Sequence, residues 1–416
     1  MIDLFQEIIN TLKQNKLRTI LTGFAVSWGI FILIALLGIS NGMFNAFEQS
    51  SNMFDQNSII IFRGFTTMPI QGFDRGRAIN FDQDDIDLLS NKLSDRLTNG
   101  GGRESLRDTE VSTVKDYIIS TVQAVYPSYQ LTEALQIKQG RFITDLDIKL
   151  KRKVIVLYDE AAFNLFGLSD PIGQQVTINN LPYVVIGILE GGGFKDTRDT
   201  FIPYSTMKLI YNKEHLSQLN FVIKNIHTKE DCKALEKDIS NILAIKHTFH
   251  PDDKGAFFLW NRFEQHLEMQ QATKYFTIMI WVIGILTLIS GVVGVGNIML
   301  ISVKERTKEF GIRKALGAKP WSILKLVILE SIFITTLFGY IGLLLGIAAT
   351  EWIDKIAGEQ VIDMGAFQRT VFLNPSVDLN VAIQATLAMI IAGTMAGFMP
   401  AKRAVSIKPI EALNAK

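Results

Sequence analysis

Cysteine is nearly absent from this 416-residue chain, which contains Cys232 alone. A single thiol excludes an internal disulfide and any zinc site built from cysteine thiolates. None of the five histidines stands at the HExxH or HxH spacing that metal sites use. Cys232 lies in a segment of helical pattern, KEDCKALEKDI, where we expect it to pack rather than to react.

Motifs that would give the chain a chemistry of its own are also missing. No GxxxxGK[ST] loop occurs, so the sequence offers no such site for ATP and its magnesium ion. In residues 41–274, no serine-hydrolase or paired-carboxylate pattern rises above what composition alone produces. His247 and His250 flank a strand-like stretch and are expected at the surface or in a turn. The sequence therefore predicts no catalytic, cofactor-binding or metal-binding residue.

Charge is scarce inside the long apolar segments, and Glu330 is the exception. An ion-driven pump needs a chain of intramembrane acids, and none occurs here. Glu330 lies near one end of its segment, which favours a snorkelling or helix-start role over a proton relay. The net charge of +1 provides no general field for nucleic acid, so we expect none as a partner.

Apolar runs long enough to cross a bilayer are what the chain does have. A span needs about 20 residues, and we predict four spans, at residues 19–40, 275–303, 323–352 and 381–399. Pro400 is expected to end the last one. Residues 1–18 place apolar side chains at helical spacing, which indicates either an amphipathic helix on the inner leaflet or a packed lead-in to the first span.

Basic residues distinguish the two sides of the membrane. Residues 304–322, which we term the elbow, are rich in Lys and Arg, and a basic loop this short marks the cytoplasmic side. The tail at 400–416 is basic as well, whereas the loop at 353–380 has no positive excess. Both termini are therefore expected in the cytoplasm and residues 41–274 outside it, with the lipid bilayer as a partner.

Residues 41–274 are long enough for one or two domains with their own cores. Strand-like and helix-like segments alternate irregularly, Asn179-Asn180 predicts a hairpin, and residues 98–105 (TNGGGRES) are expected as a flexible loop. From Asn261 a helical pattern runs without a breaker into the second span, as one rod. The predicted fold is an α+β membrane protein with four transmembrane helices and a large mixed α/β extracytoplasmic domain inserted between helices 1 and 2.

Pairs of glycines recur in or near the spans. Because such residues let helices approach closely, we predict helix packing, within the chain or across a dimer, at Gly38, Gly42, Gly291, Gly294, Gly342, Gly346, Gly393 and Gly397. The cluster around Gly291 follows no strand and opens no exposed helix, which argues against dinucleotide binding.

Four stretches carry a resemblance to a known family. The elbow region, VGNIMLISVKERTKEFGIRKALGAKPWSILKLVILES, closely resembles the signature region of MacB/FtsX-type permeases of ATP-binding-cassette (ABC) systems. The stretches KLRTILTGFAVSWGIFILIALLGISNG, EAAFNLFGLSDPIGQQVTINNLPYVVIGILE and AGFMPAKRAVSIKPIEAL are similar to that family's first helix, periplasmic core domain and C-terminal end. They follow one another in the family's order and cover essentially the whole chain.

The resemblance implies a multi-pass protein of the bacterial cytoplasmic membrane, with a periplasmic domain and a dimer of identical or related permeases. The sequence departs from full-length MacB in one respect, since no N-terminal ATPase domain precedes its first helix. We therefore expect a separate ABC ATPase subunit that binds ATP and Mg, and a chain that is not itself an enzyme. The resemblance leaves open a periplasmic adaptor and an outer-membrane channel as further partners.

The resemblance also implies that the elbow docks onto the ATPase. We expect its charged flanks to set the register while Phe310, Ile312 and Leu316 seat in a groove, with Gly317 as the helix stop. The residues that would carry this ATPase-coupling role are Lys304, Glu305, Arg306, Thr307, Glu309, Phe310, Gly311, Ile312, Arg313, Lys314, Ala315, Leu316, Gly317 and Ala318. From the residues alone, an elbow helix that lies on the membrane surface is equally compatible.

The function expected is that of a permease subunit that couples ATP hydrolysis by another subunit to a periplasmic conformational change. Such coupling serves export, efflux or release of a periplasmic or membrane-derived substrate. The alternative is a membrane-anchored sensor or scaffold, without transport, whose periplasmic domain binds a partner.

Overall fold

The computed structural model describes residues 16–51, 55–70, 72–191, 197–357, 361–363, 368–370, 375 and 379–406. They form two compact units, one of Met1–Phe47, Ala272–Ile362 and Thr370–Lys416 and the other of Glu48–Gln271 and Asp363–Arg369. We call them the membrane unit and the outer domain. The predicted amphipathic helix at 1–18 and the end of the tail at 400–416 lie largely outside the described residues.

The helices and strands are numbered in chain order. The helices are α1 (Lys16–Ser51), α2 (Gln83–Lys92), α3 (Tyr129–Thr132), α4 (Asp145–Lys149), α5 (Asp159–Phe166), α6 (Tyr204–Tyr211), α7 (Lys229–His247), α8 (Arg262–Glu305), α9 (Thr307–Ala315), α10 (Pro320–Ala357) and α11 (Leu379–Ser406). The strands are β1 (Ser58–Arg63), β2 (Leu97–Ser112), β3 (Tyr117–Val125), β4 (Ile137–Gly140), β5 (Val154–Tyr158), β6 (Gln175–Ile178), β7 (Leu181–Leu189), β8 (Thr200–Pro203), β9 (Gln218–Ile223), β10 (Phe257–Asn261), β11 (Val361–Asp363) and β12 (Gln368–Thr370).

Four helices, α1, α8, α10 and α11, are long and apolar enough to cross a membrane. The predicted rod is confirmed, because α8 continues from Arg262 to Glu305 as one helix. The expectation that Pro400 ends the last helix is wrong, since α11 extends through it to Ser406. Proline removes one intrahelical hydrogen bond, and Ala401 and Ala404, both fully buried, hold the last turns in place.

Most of the glycines singled out in the sequence lie where one span meets another. A side chain at Gly342 would overlap the backbone of Ser27, so α1 and α10 approach closely there. The neighbours at the other sites are Thr350 for Gly38, Val26 for Gly291, Ile34 for Gly346, Thr335 for Gly393 and Ser331 for Gly397. Gly42 is buried and Gly294 half-buried. These contacts are all within one chain.

The outer domain is built on a ten-stranded mixed sheet in the order β10-β1-β9-β2-β3-β8-β5-β7-β4, with β6 paired to β2 and β7. The larger core includes Phe81, Phe221 and Leu235 and receives α2 and α7, while a smaller core surrounds Phe201. The predicted hairpin is confirmed at β6–β7, where Asn179 and Asn180 have φ of 49° and 65°. Cys232 is fully buried in α7, as predicted.

Two local expectations about the outer domain are wrong. Residues 98–105 belong to strand β2 rather than to a loop. A side chain at Gly100 would collide with Phe221, so the glycines there permit close packing instead of flexibility. His247 is not a surface residue: it ends α7, and its Nε2 lies 2.8 Å from the buried Asp85 Oδ1.

Candidate functional site: the elbow

The elbow is a short helix with tight connections on both sides. Arg306 alone separates α8 from α9, and four residues separate α9 from α10. The predicted stop is confirmed: Gly317 adopts φ of 91°, which favours glycine, and its N–H donates to the Lys314 carbonyl at 3.0 Å. Pro320 then begins α10, where proline is well tolerated because the first N–H of a helix has no intrahelical partner.

Phe310 anchors the elbow inside the chain. Its side chain is fully buried in a cluster with Val303, Leu326 and Ala401, which come from three different spans. The expectation that Phe310 seats in a partner's groove is therefore wrong for this structure. An aromatic side chain of this size, once buried, fixes α9 against the adjoining ends of the three spans.

Arg306 ties the elbow to α10. Its Nε lies 2.9 Å from Glu309 Oε2, one of its terminal nitrogens lies 3.3 Å from Glu330 Oε2, and its guanidinium stands 5.4 Å from the Phe310 ring centre. Glu330 is only 3% exposed, and α10 starts ten residues before it, so neither the snorkelling nor the helix-start expectation holds. A buried carboxylate requires such a partner, because an unpaired one is strongly destabilising.

Two further contacts involve charged side chains of α9, one within the helix and one to another span. Arg313 lies 2.7 Å from Glu309, which is thus shared between two arginines. Lys314 donates a hydrogen bond to the carbonyl of Val405 in the last turn of α11. The elbow is thus linked to α10 through Arg306 and to α11 through Lys314.

The opposite side of the elbow is open. Ile312 is 48% exposed, Leu316 is 84% exposed and Trp321 is 70% exposed, and the exposed Lys308 and Lys319 flank them. Lys308, Ile312 and Leu316 recur every four residues and so share one helix face. We use the term outer strip for the five exposed residues Lys308, Ile312, Leu316, Lys319 and Trp321. Trp321 was missed by sequence reasoning, although a tryptophan between two basic residues at a helix start was a signal for it.

The predicted coupling residues thus divide into two groups. Those that contact the bundle or their neighbours within it are Arg306, Glu309, Phe310, Gly311, Arg313 and Lys314. Those on the exposed side are Lys304, Glu305, Ile312, Ala315, Leu316 and Gly317, while Thr307 and Ala318 are half-buried. Thr307 donates to the Lys304 carbonyl at 2.7 Å, which closes the turn between α8 and α9.

A second feature of the membrane unit is an apolar groove of about 610 Å³ between α1 and α10. Phe24, Trp28 and Phe31 line it from α1, with consecutive ring centres 5.8 and 5.3 Å apart. Phe338 and Trp352 line it from α10. Among the described residues, no cluster of three or more His, Cys, Asp or Glu could hold a metal ion.

Two family profiles and several relatives match this chain. The profile of the MacB-like periplasmic core domain matches residues 19–242, and that of the FtsX-like permease C-terminal region matches residues 281–409. A macrolide export ATP-binding/permease protein MacB of Neisseria meningitidis serogroup A is 26% identical over 424 residues, which cover 99% of this chain and 61% of that protein. The Nitrobacter winogradskyi protein of the same name is 28% identical over 420 residues, covering 97% and 58%.

The chain thus spans less than two thirds of the length of these relatives. Among solved structures, the periplasmic region of MacB from Actinobacillus actinomycetemcomitans is similar, with 20% identity and a TM-score of 0.43 over 54% of this chain and 98% of that one. One family profile covers more than half of the chain and a second covers most of the remainder. The chain belongs to the MacB/FtsX-type family of ABC transporter permeases.

Proposed function

We propose that this chain is the permease subunit of an ABC system whose ATPase is a separate subunit that binds ATP and Mg. The outer strip carries the proposal: Ile312 and Leu316 remain uncovered on a helix whose other side is fastened to two spans. An amphipathic helix that presents anchors at i and i+4 suits a groove on a partner. The two lysines that flank the strip would set its orientation.

Coupling in this proposal is mechanical. Closure of the ATPase pair would move α9, and the Arg306–Glu330 ion pair would carry that movement into α10. The helix α8 leads directly from the elbow to Arg262, and its 44 residues correspond to about 66 Å at 1.5 Å per residue. A helix of that length could deliver displacement to the periplasmic side without any chemistry in the membrane.

The substrate would come from the periplasm or from the outer leaflet. The spans contain few polar groups, which does not suit a hydrophilic path through them. The groove between α1 and α10 is lined by aromatic side chains, which favours an apolar or amphiphilic compound. Export of a macrolide-like compound is one such activity, named for the relatives. Efflux through an adaptor and an outer-membrane channel, or release of a membrane-derived substrate, fits the same arrangement.

The topology in this proposal is that of a bacterial inner-membrane protein with both termini in the cytoplasm and the outer domain in the periplasm. A second candidate function, a sensor or scaffold without an ATPase, has one observation in its favour. Trp321 with Lys308 and Lys319 is a combination typical of a membrane–water interface. The outer strip would then contact lipid headgroups.

Affinity purification of the full-length protein in several mild detergents tests the proposal. We expect an ABC ATPase to co-purify with the wild type and to be lost from Leu316→Glu, because a charge would enter the proposed groove. The matched control is Leu168→Glu in the outer domain, where the side chain is 99% exposed and no effect is expected. Retention of the ATPase by Leu316→Glu, or its absence from the wild type in every detergent, would exclude docking through the outer strip.

A further inference from the structure

Glu104 is a buried carboxylate of the outer domain that lacks a counter-charge. It lies on β2, is only 4% exposed, and makes no hydrogen bond or ion pair with any of the residues that the structure describes. The other buried carboxylates Asp85, Asp147 and Glu133 each contact a basic side chain. Because burying a carboxylate is unfavourable unless a cation or a hydrogen-bond donor accompanies it, the oxygens of Glu104 are available to a partner from outside the chain.

Two basic residues of the same region are engaged elsewhere. Arg103 directly precedes Glu104, so on a strand its side chain points to the opposite face of the sheet. There it lies 3.2 Å from the Tyr129 hydroxyl. Lys246 on α7 lies 2.9 Å from Asp85. Neither cation is therefore placed to neutralise Glu104.

Two stacked tyrosines share the face of the sheet on which Glu104 lies. Glu104 is directly opposite Ala124 on β3. Tyr126 follows Ala124 by two residues, which brings its side chain back to the same face. Tyr204 follows β8, and its ring centre lies 5.3 Å from that of Tyr126, with an angle of 28° between the ring planes. Because aromatic rings attract ammonium groups, this pair is a second feature that favours a cationic ligand.

The surroundings of the tyrosine pair are negatively charged. Burial raises the pKa of the Tyr204 hydroxyl to about 12, and the charge of Glu104 with those of other nearby carboxylates adds to this shift. The Tyr204 hydroxyl donates to the Glu214 carbonyl at 2.8 Å, so its proton is not available to Glu104. Tyr126 is half-buried, and its hydroxyl donates to the exposed Gln83. The pair therefore reaches the protein surface on the Gln83 side.

We propose that the outer domain binds the protonated amine of a small organic compound here, with the ammonium group on Glu104 and the adjoining carbon atoms against Tyr126 and Tyr204. An ammonium group supplies both the missing charge and hydrogen-bond donors. A metal ion suits the site less, because hard cations require about six oxygen ligands. No cluster of three or more His, Cys, Asp or Glu that could hold a metal occurs in the part of the chain that the structure describes.

Thermal unfolding of the full-length protein in nanodiscs tests the role of the carboxylate, since a ligand of the folded state raises the unfolding temperature. We expect ethylammonium chloride to raise it in the wild type, whereas sodium chloride or ethanol at the same concentration should not. Glu104→Gln should abolish this rise. Glu110→Gln is the matched control, because Glu110 is an exposed carboxylate of the same strand. An equal rise with sodium chloride, or an undiminished rise in Glu104→Gln, would overturn the proposal.

A second measurement isolates the aromatic rings and does not depend on the folding of Glu104→Gln. Saturation-transfer NMR of ethylammonium, with empty nanodiscs as background, reports its affinity for the full-length protein. Tyr126→Leu is expected to weaken binding about fivefold to tenfold, whereas Tyr126→Phe keeps a ring and should bind as the wild type does. Tyr117→Leu, at a tyrosine of β3 that is 67% exposed, is the control. Undiminished affinity in Tyr126→Leu, or no transfer in the wild type, would contradict the proposal. Neither experiment needs an ATPase, so their outcome is independent of the proposed coupling function.

Discussion

The two ends of α8 use the same pair of residue types in different surroundings. At the start, Arg262 lies 3.0 Å from Glu133 and also donates to Ser58 Oγ and the Thr132 carbonyl, at 3.2 and 2.9 Å. Just after the end, Arg306 pairs with Glu330 and Glu309. The side chains of Arg262 and Glu133 are 7% and 11% exposed, whereas Glu309 is 38% exposed.

The difference indicates two roles for one kind of contact. Arg262 is enclosed within the outer domain, where it contacts Ser58 at the start of β1 and Thr132 and Glu133 at the end of α3. Several enclosed contacts of this kind suit a fixed attachment. The Arg306 end has a buried inner half and an open outer half, in keeping with the movable joint proposed above. The predictions below test this contrast, from the largest expected effect to the smallest.

Loss of the enclosed arginine should be the most damaging change. Arg262→Met removes the ion pair of the buried Glu133 with Arg262, and we expect the free energy of unfolding of the outer domain to fall by about 3–5 kcal/mol. Denaturation of the full-length protein, followed by fluorescence of Trp260 beneath the guanidinium, measures it. Lys229→Met is the control, since its pair with Glu268 is largely exposed and worth less than about 1 kcal/mol. Equal losses of unfolding free energy in Arg262→Met and Lys229→Met would show that enclosing the Arg262–Glu133 pair adds nothing to its contribution.

At the elbow, Arg306→Met is expected to lower the stability of the membrane unit by about 3 kcal/mol, because the buried Glu330 loses its ion pair with Arg306. The double variant Arg306→Met/Glu330→Leu should recover most of that loss, since an apolar pair needs no compensating charge. Thermal unfolding in nanodiscs measures both. If coupling runs through this pair, the double variant will be stable yet deficient in ATP-driven activity. If the double variant is no more stable than Arg306→Met, the loss of stability does not come from the uncompensated charge of Glu330.

A third arginine–carboxylate pair, away from either end of α8, provides a titratable reference. Burial raises the pKa of Asp147, but hydrogen bonds from Arg141 and Thr144 outweigh that effect and lower the pKa to about 2. Because the folded-state pKa is depressed, the stabilisation is present above the unfolded-state value and is lost as the pH falls from about 4 to about 2. We expect the loss to be on the order of 2 kcal/mol. The pH dependence of denaturation for the wild type and Asp147→Asn measures it, and a slope unchanged in Asp147→Asn would refute this assignment.

The smallest effect is expected at the helix stop of the elbow. Gly317→Ala places a side chain at φ of 91°, which should reduce stability by about 1 kcal/mol and loosen the last turn of α9. Limited proteolysis at the elbow lysines, compared with Ala318→Gly, would detect it. A proteolysis rate equal to that of the wild type would mean that the turn is held by its surroundings rather than by glycine.

Local chemistry made much of the architecture predictable. The four spans follow from uninterrupted apolar length, and the β6–β7 hairpin follows from two adjacent asparagines that tolerate left-handed backbone. The stop at Gly317 is of the same kind. In each case the residues that determine the structure are close together in the chain, so a single sequence contains the information.

Contacts between distant segments were not predictable. The glycine run in β2 has the composition of a loop, yet Gly100 lies against Phe221, more than a hundred residues away, and the run forms a strand. His247 was expected at the surface or in a turn because it flanks a strand-like stretch. Its partner Asp85 comes from another helix.

The sequence by itself determined the class of protein, its spans, the short helix of the elbow and the family, because apolar length, basic loops and ordered motifs are local properties. Only the tertiary structure decided which residues of the elbow face inward. Phe310 and Arg306 are committed to the bundle while Leu316 and Trp321 remain open. The reason is geometric: on a helix of nine residues, the side that is buried depends on where the neighbouring spans lie, and no residue within the helix specifies that.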